Sequence, residues 1–159
     1  MRRDIEVRRA ESGDAPAIAA VHLDSIRVLA APYYGRDQID AWLLGKEPER
    51  YRRAMESGEA MFVADLPEGG LAGFGSYCGD EVRAVYVAPL HARQGVGSRI
   101  LVGIEQDARR HGIASLWLDA SLAAVAFYAA RGYARGEEGT HVLRAGVDLE
   151  CLRMTKRIG

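Results

Sequence analysis

The sequence predicts an α/β fold with a mixed sheet, and three observations carry that expectation. Short apolar or alternating runs of strand character recur along the chain. Helical patterns with their own start and stop signals stand among them. One strand ends in Val85-Tyr86-Val87-Ala88-Pro89 and passes through a basic glycine loop into a helix. Strands interleaved with helices belong to α/β architectures. A chain of 159 residues suits one domain, 1–159, with a sizeable core.

The elements follow in order. Ile5 to Arg8 alternates and reads as a first strand. Ser12 can cap a helix with Asp14 and Pro16 in its first turn. Ile18, Val21, His22, Val28 and Leu29 keep helical spacing, which carries that helix to about Ala30. Pro32-Tyr33-Tyr34-Gly35 breaks it, Gln38 to Leu44 is a short helix ended by Gly45, and Glu47 to Glu56 is another, with Pro48 at its start. Ala60 to Ala64 is a strand, joined through Pro67-Glu68-Gly69-Gly70 to its hairpin partner Leu71 to Cys78. Glu81 to Val87 is the next strand. Gly97 to about Arg110 is a helix with Ile100, Leu101 and Ile104 on one face, ended by Gly112. Ser115 to Leu118 is a buried strand and Leu122 to Ala130 an alanine-rich helix stopped at Gly132. Tyr133 to Arg135 and Leu149 to Lys156 are the last strands. There is no internal repeat and no low-complexity linker.

Composition narrows the function. Apolar residues at 48% and charged residues at 27% are the balance of an ordinary soluble globular chain. A formal net charge of −1 gives no electrostatic case for nucleic acid. Arg2, Arg3, Arg8 and Arg9 are interrupted by Asp4 and Glu6 and read as a solvated strand face. The start Met1-Arg2-Arg3-Asp4 has no apolar core behind it, so no signal peptide is expected. No apolar run approaches the ~20 residues of a membrane span. Cys78 and Cys151 form no CxxC and are expected as reduced thiols of a cytoplasmic protein. His22, His91, His111 and His141 are scattered, so no metal is expected, and no G-x-S-x-G exists for a serine hydrolase.

The loop after Pro89 carries the chemical signal. Its backbone N–H groups would stand at a helix N-terminus, where the dipole also favours a phosphate. Gly95 and Gly97 lack a Cβ, so a ligand can approach the backbone. The spacing is not a Walker loop, and Ile100 stands where a dinucleotide fingerprint needs its third glycine. A pyrophosphate site of another kind is expected; a plain tight turn is the alternative.

These segments resemble the GCN5-related N-acetyltransferases (GNATs), which move an acetyl group from acetyl-CoA to an amine. That family's loop reads [Arg/Gln]-x-x-Gly-x-[Gly/Ala] after such a strand end and stands here as Ala92-Arg93-Gln94-Gly95-Val96-Gly97. Ala92 departs from the pattern, and the adjacent Arg93 and Gln94 can supply donors. A later motif, Asn-x-x-Ala-x-x-x-Tyr-x-x-x-Gly-[Phe/Tyr], is matched by Ala124, Tyr128, Gly132 and Tyr133, with Ser121 in place of Asn. The resemblance spans the chain and is specific from about Val82 to Tyr133. It implies a mixed, mostly antiparallel twisted sheet of about seven strands flanked by helices, with splayed central strands. It further implies acetyl-CoA as co-substrate, a small-molecule or peptide amine as acceptor, no membrane partner and a possible homodimer.

The resemblance also assigns roles. Arg93, Gln94, Gly95, Val96, Gly97 and Ser98 would hold the pyrophosphate, and Tyr86 and Val87 would offer backbone groups to the pantetheine arm. Ser121 would contact the cofactor with a shorter reach than Asn. Tyr128 stands at the family's acid position, where a phenol of pKa about 10 can protonate a leaving thiolate; packing over the sheet is its other reading. Glu81, eleven residues before Ala92, is the base candidate, or else a solvated turn residue beside Asp80. Tyr33, Tyr34, Trp42, Tyr77 and Glu81 are the expected acceptor-site lining, although each aromatic reads more readily as packing. A non-catalytic acyl-CoA sensor, or transfer of a larger acyl group, are the alternatives.

Overall fold

The computed structural model describes residues 4–159; Arg2 and Arg3, read above as part of a basic strand face, lie outside them. The strands are β1 (Glu6–Arg9), β2 (Ala60–Asp65), β3 (Leu71–Cys78), β4 (Glu81–Val87), β5 (Ser115–Ser121), β6 (Ala134–Val142) and β7 (Asp148–Arg157). The helices are α1 (Ala15–Ser25), α2 (Arg36–Trp42), α3 (Pro48–Glu56), α4 (Val96–Arg110) and α5 (Val125–Ala130). All seven strands form one sheet in the order β1-β2-β3-β4-β5-β7-β6.

Every neighbouring pair is antiparallel except β4 and β5, which run parallel. That pair meets at a single register position, Glu81 opposite Trp117. Beyond it each strand follows its other neighbour. The Ala88 N–H donates to the Ala72 carbonyl at 2.8 Å, keeping the end of β4 against β3. β5 pairs with β7 from Ser115–Arg157 to Ser121–Cys151 without interruption. The sheet is therefore open at its centre, as the resemblance implies.

Helices cover both faces. On one face α4 sets Ile100, Leu101, Ile104 and Ala108 against a core that includes Phe62, Leu116, Leu118 and Met154. The helix comes close because β3 is bare there. A Cβ at Gly75 would lie 2.6 Å from Ile100 Cγ2 and 2.8 Å from the Ala84 carbonyl oxygen. On the other face α1 and α3 pack Ile18, Val21 and Tyr51 over Met61, Val63 and Phe74. A third cluster, with Ile26, Ile39, Trp42 and Leu149, carries the end of the α1 segment and α2 across to β7.

The start of α1 is pinned by charge. Arg8 makes two 2.9 Å hydrogen bonds to Asp14 and also reaches Asp65, joining β1, β2 and the helix entry. A planar guanidinium suits this shared carboxylate geometry.

Three sequence expectations are corrected. The helix expected from Ser12 to Ala30 is α-helical only over α1; a 3₁₀ turn (Ser12–Asp14) precedes it, and a π-turn (Ile26–Ala30) and a 3₁₀ turn (Ala31–Tyr33) follow. Pro32 has no N–H to continue the ladder, so the last turns repack rather than propagate. The helix expected from Leu122 begins at Val125, because Ser121–Ala124 forms a turn closed by the Ala124 N–H on the Ser121 carbonyl at 2.9 Å. The short strand read at Tyr133–Arg135 extends to Val142. β6 is exposed along its length, so it has no apolar alternation to detect, and its backbone pairing with β7 holds it.

Gly75→Ala should lower stability by about 1–3 kcal/mol through overpacking against Ile100 and the β4 backbone. Urea unfolding checks this, and an unchanged midpoint would contradict the close approach of α4.

Candidate active site

The loop between β4 and α4 is shaped by backbone conformation. Pro89–His91 forms a 3₁₀ turn, Arg93 is left-handed at φ 61°, and Gly95, the N-cap of α4, is left-handed at φ 81°. No side chain caps the helix, and the Arg99 N–H closes the first turn on the Gly95 carbonyl at 3.1 Å. The N–H groups of Val96, Gly97 and Ser98 precede the first helical donor, have no intrahelical acceptor and point out of the N-terminus. This is an anion site in its electrostatics.

A cation that the sequence reading missed stands beside it. Arg131, just after α5, donates from Nε to Ser98 Oγ and from Nη1 to the Phe127 carbonyl at 2.9 Å. Its guanidinium lies 4.0 Å from the centre of the Phe127 ring. The available signal was its place inside the second motif, directly before Gly132. Arg99, by contrast, is turned away and donates to the Ile5 carbonyl at 2.9 Å. Gly97 is needed for packing as well, since a Cβ there would lie 2.8 Å from Phe127.

Two cavities flank the opening between β4 and β5. The first, about 160 Å³, is lined by Val85, Tyr86, Val87, Gly97, Ser121 and Phe127, with Leu29 from the π-turn above. The second, about 320 Å³, is lined by Trp42, Lys46, Arg50, Glu81, Tyr86 and Ser121 among others. Tyr86 and Ser121 belong to both, so the cavities share a wall where the strands have parted. A wider groove of about 730 Å³ between β1 and α4 touches Ser98 alone of the predicted site residues.

Electrostatics differ along this path. Glu81 accepts from Arg83 Nε at 3.0 Å, and Arg83 Nη1 continues to Glu59 at 3.0 Å. Asp119 is held by Arg153 at 2.7 Å. Burial, with Arg50 and Arg144 adding to it, pulls the Lys46 ammonium down to about 8. His22 lines the second cavity, its Nδ1 2.8 Å from the Tyr51 hydroxyl and its ring 4.1 Å from that of Tyr86. Burial first, then Lys46 and Arg50, push its pKa well below 6.5, so the imidazole is neutral near pH 7.

The predicted residues separate into groups. Gln94, Gly95, Val96, Gly97 and Ser98 form the loop with Arg93. Tyr86, Val87 and Ser121 line the first cavity, and Glu81 and Trp42 the second. Tyr128 is 5% exposed, packed edge-on to Phe127 and Tyr133, and lines neither cavity itself. Its hydroxyl has no hydrogen-bond partner among the described residues, and burial raises its pKa. The structure does not bring Tyr33 or Tyr77 to this site. Tyr33 is 54% exposed, and Tyr77 lies on the α4 face with its hydroxyl on Asp107 at 2.6 Å. Along β3 it follows the alternation of Gly73 and Gly75, which face α4 as well. Among the described residues no group of three or more His, Cys, Asp or Glu could hold a metal, and no helix is long and apolar enough to cross a membrane.

A pattern for the GNAT acetyltransferase domain matches residues 30–157. The chain belongs to the GNAT family. A GCN5-related N-acetyltransferase structure from Rhodopseudomonas palustris, described as a class-II aminotransferase, is 31% identical. It superposes with a TM-score of 0.90 over 99% of this chain and 98% of that one. PaiA N-acetyltransferase from Thermoplasma acidophilum, in complex with coenzyme A, is 18% identical with a TM-score of 0.74 over 97% and 99% of the two chains. YncA from Salmonella typhimurium, with acetyl-CoA, is 20% identical with a TM-score of 0.70 over 98% and 95%. These last two likenesses concern the fold. No curated protein sequence matches the chain.

The neutral His22 predicts a pH effect in this GNAT domain. In the unfolded chain the imidazole binds a proton below about 6.5, whereas the folded one resists it, so stability falls as pH drops through that window. Urea unfolding at pH about 7.5 and about 5.5 should show a loss that His22→Gln reduces. Equal losses in both proteins would contradict a neutral buried imidazole.

Proposed function

We propose that this protein transfers an acetyl group from acetyl-CoA directly to a primary amine. The observation that carries the reading is the shared wall of the two cavities at the β4–β5 opening, beside an uncapped helix N-terminus. One cavity suits the pantetheine arm and the other the acceptor, so thioester and amine meet near Tyr86 and Ser121.

The chain's own groups divide the work. Loop N–H groups from Gly95 to Ser98 bind the pyrophosphate, with Arg93 and Arg131 adding charge. The inner edge of β4 at Tyr86 and Val87 pairs with the pantetheine amides in place of β5. Glu81 Oε2, which has no partner among the described residues, takes a proton from the acceptor ammonium, directly or through a water. The freed amine forms the new C–N bond as the C–S bond breaks. A backbone N–H of β4 donates to the carbonyl oxygen as charge gathers on it. Tyr128 gives its phenolic proton to the departing sulfur and regains one from the new amide nitrogen, which sheds its second proton through water; burial, which keeps that phenol protonated, and its unclaimed hydroxyl support this role.

Calorimetric titration with acetyl-CoA, followed by release of free CoA thiol with an amine panel, tests the proposal. Saturable binding with amine-dependent release is expected. Binding without release would favour a non-catalytic acyl-CoA sensor, and no binding would overturn the reading. Ser98→Asp should keep the fold, because a carboxylate suits the first helical turn, yet weaken acetyl-CoA at least about tenfold by repelling the pyrophosphate. Arg131→Ala should weaken it in the same direction. Tyr128→Phe should lower kcat by about 10²-fold or more with acetyl-CoA affinity retained. An unchanged kcat would show Tyr128 to be packing alone.

A further inference from the structure

We propose that the acceptor amine also carries a carboxylate, bound in the second cavity by Lys46 and Arg50, with Arg144 packed on the turn before Lys46. The inference rests on the acetyl-transfer reading and names the substrate class for the same site.

Lys46 is 8% exposed, yet it makes no hydrogen bond or ion pair among the described residues. A lysine this buried ordinarily has a partner, because removing an ammonium from water is costly. The other charges lining the cavity are matched within the protein. Glu81, Arg83 and Glu59 form one chain of ion pairs, and Asp119 and Arg153 another. Arg50 is different: its guanidinium's one hydrogen bond among the described residues is to the Gly45 carbonyl, at 3.4 Å. Buried Lys46 and solvent-exposed Arg50 are thus the cavity-lining charges without an ion-pair partner among the described residues, and both are positive.

A third cation is brought to them by backbone shape. Gly45 is left-handed at φ 73°, and a Cβ there would lie 2.6 Å from Arg144 Cζ. The bare glycine lets the Arg144 guanidinium pack onto the turn directly before Lys46. Glu47 is the acid that acts on Lys46, but it is exposed and forms no ion pair with it. Burial first, and then Arg50 and Arg144, disfavour the charged form of Lys46. An anion among the three cations would offset their mutual repulsion and give the buried ammonium a partner.

The neighbouring surfaces suit a small zwitterion. The volume of about 320 Å³ matches a small molecule, and buried Trp42 offers an apolar wall. Glu81 lies in the same cavity and can receive the amine. A polyamine would be repelled by Lys46 and Arg50.

The test compares α-amino acids with their own carboxamides as acceptors, by CoA thiol release. The carboxylates should show kcat/KM at least about tenfold above their amides. Lys46→Met and Arg50→Met should bring that ratio towards one while leaving acetyl-CoA affinity unchanged by calorimetry, and Lys46→Arg should retain it. A second readout needs no turnover. Saturating amino acid should raise the Tm of the wild-type protein where the carboxamide does not, and Lys46→Met should abolish that rise. Lys46→Met should itself raise the Tm of the free protein, since it removes an unpaired buried charge. Amides as good as acids in rate, or no carboxylate-dependent rise of Tm and no preference in rate, would overturn the proposal. Failure to bind acetyl-CoA would instead sink the transferase reading, with the Tm comparison still judging the carboxylate site.

Discussion

Two parallel strands that should share a ladder instead meet once and part. Glu81 opposite Trp117 is the hinge of that divergence, fixed by the Trp117 N–H on the Asp80 carbonyl at 3.0 Å and the indole on Asp80 Oδ1 at 2.9 Å. Past this point β4 belongs to β3 and β5 to β7. A buried strand edge without partners is costly, because each unpaired N–H and C=O has been taken from water. The fold keeps the opening because both strands are held by other neighbours. It also leaves backbone donors and acceptors facing a narrow gap, which is what an amide-bearing chain such as pantetheine can complete.

The rest of the molecule serves that gap. Gly73 and Gly75 let α4 lie close on the sheet, and that closeness delivers its N-terminus to the end of β4. Gly97 lets α5 approach the same turn, with Phe127 filling the space a side chain would take. Arg131 then reaches Ser98 from the end of α5. On the opposite face the π-turn after α1 lowers Leu29 and Ala30 over the opening, and α2 closes its far side with Trp42. Precise packing here has a chemical consequence, since reacting groups must be held within a fraction of an ångström of working geometry.

What could be read beforehand follows the physics of the signal. Strands and helices with a one-sided apolar pattern, such as β3 and α4, announced themselves. The glycine loop was legible because it depends on local backbone freedom. β6 was not, because its pairing is a backbone matter and its side chains are solvated. The π-turn at Ile26–Ala30 keeps the apolar spacing of a helix, so the pattern cannot distinguish the two. Tyr77 was misplaced because it follows the alternation of Gly73 and Gly75, and only tertiary packing decides that α4 covers that face of β3. The gathering of Lys46, Arg50 and Arg144 beside the second cavity, and of Arg131 beside Ser98, was invisible: each is an ordinary surface cation in sequence, and only tertiary contact brings them together.

The central claim is that the parted edge of β4 and the loop behind it are completed by acetyl-CoA. Amide hydrogen exchange with and without acetyl-CoA addresses it most directly. Slowed exchange is expected at residues 85–87 and 94–98, with little change in β1–β2. Slowing confined to the groove between β1 and α4, or none in the β4 segment, would contradict it.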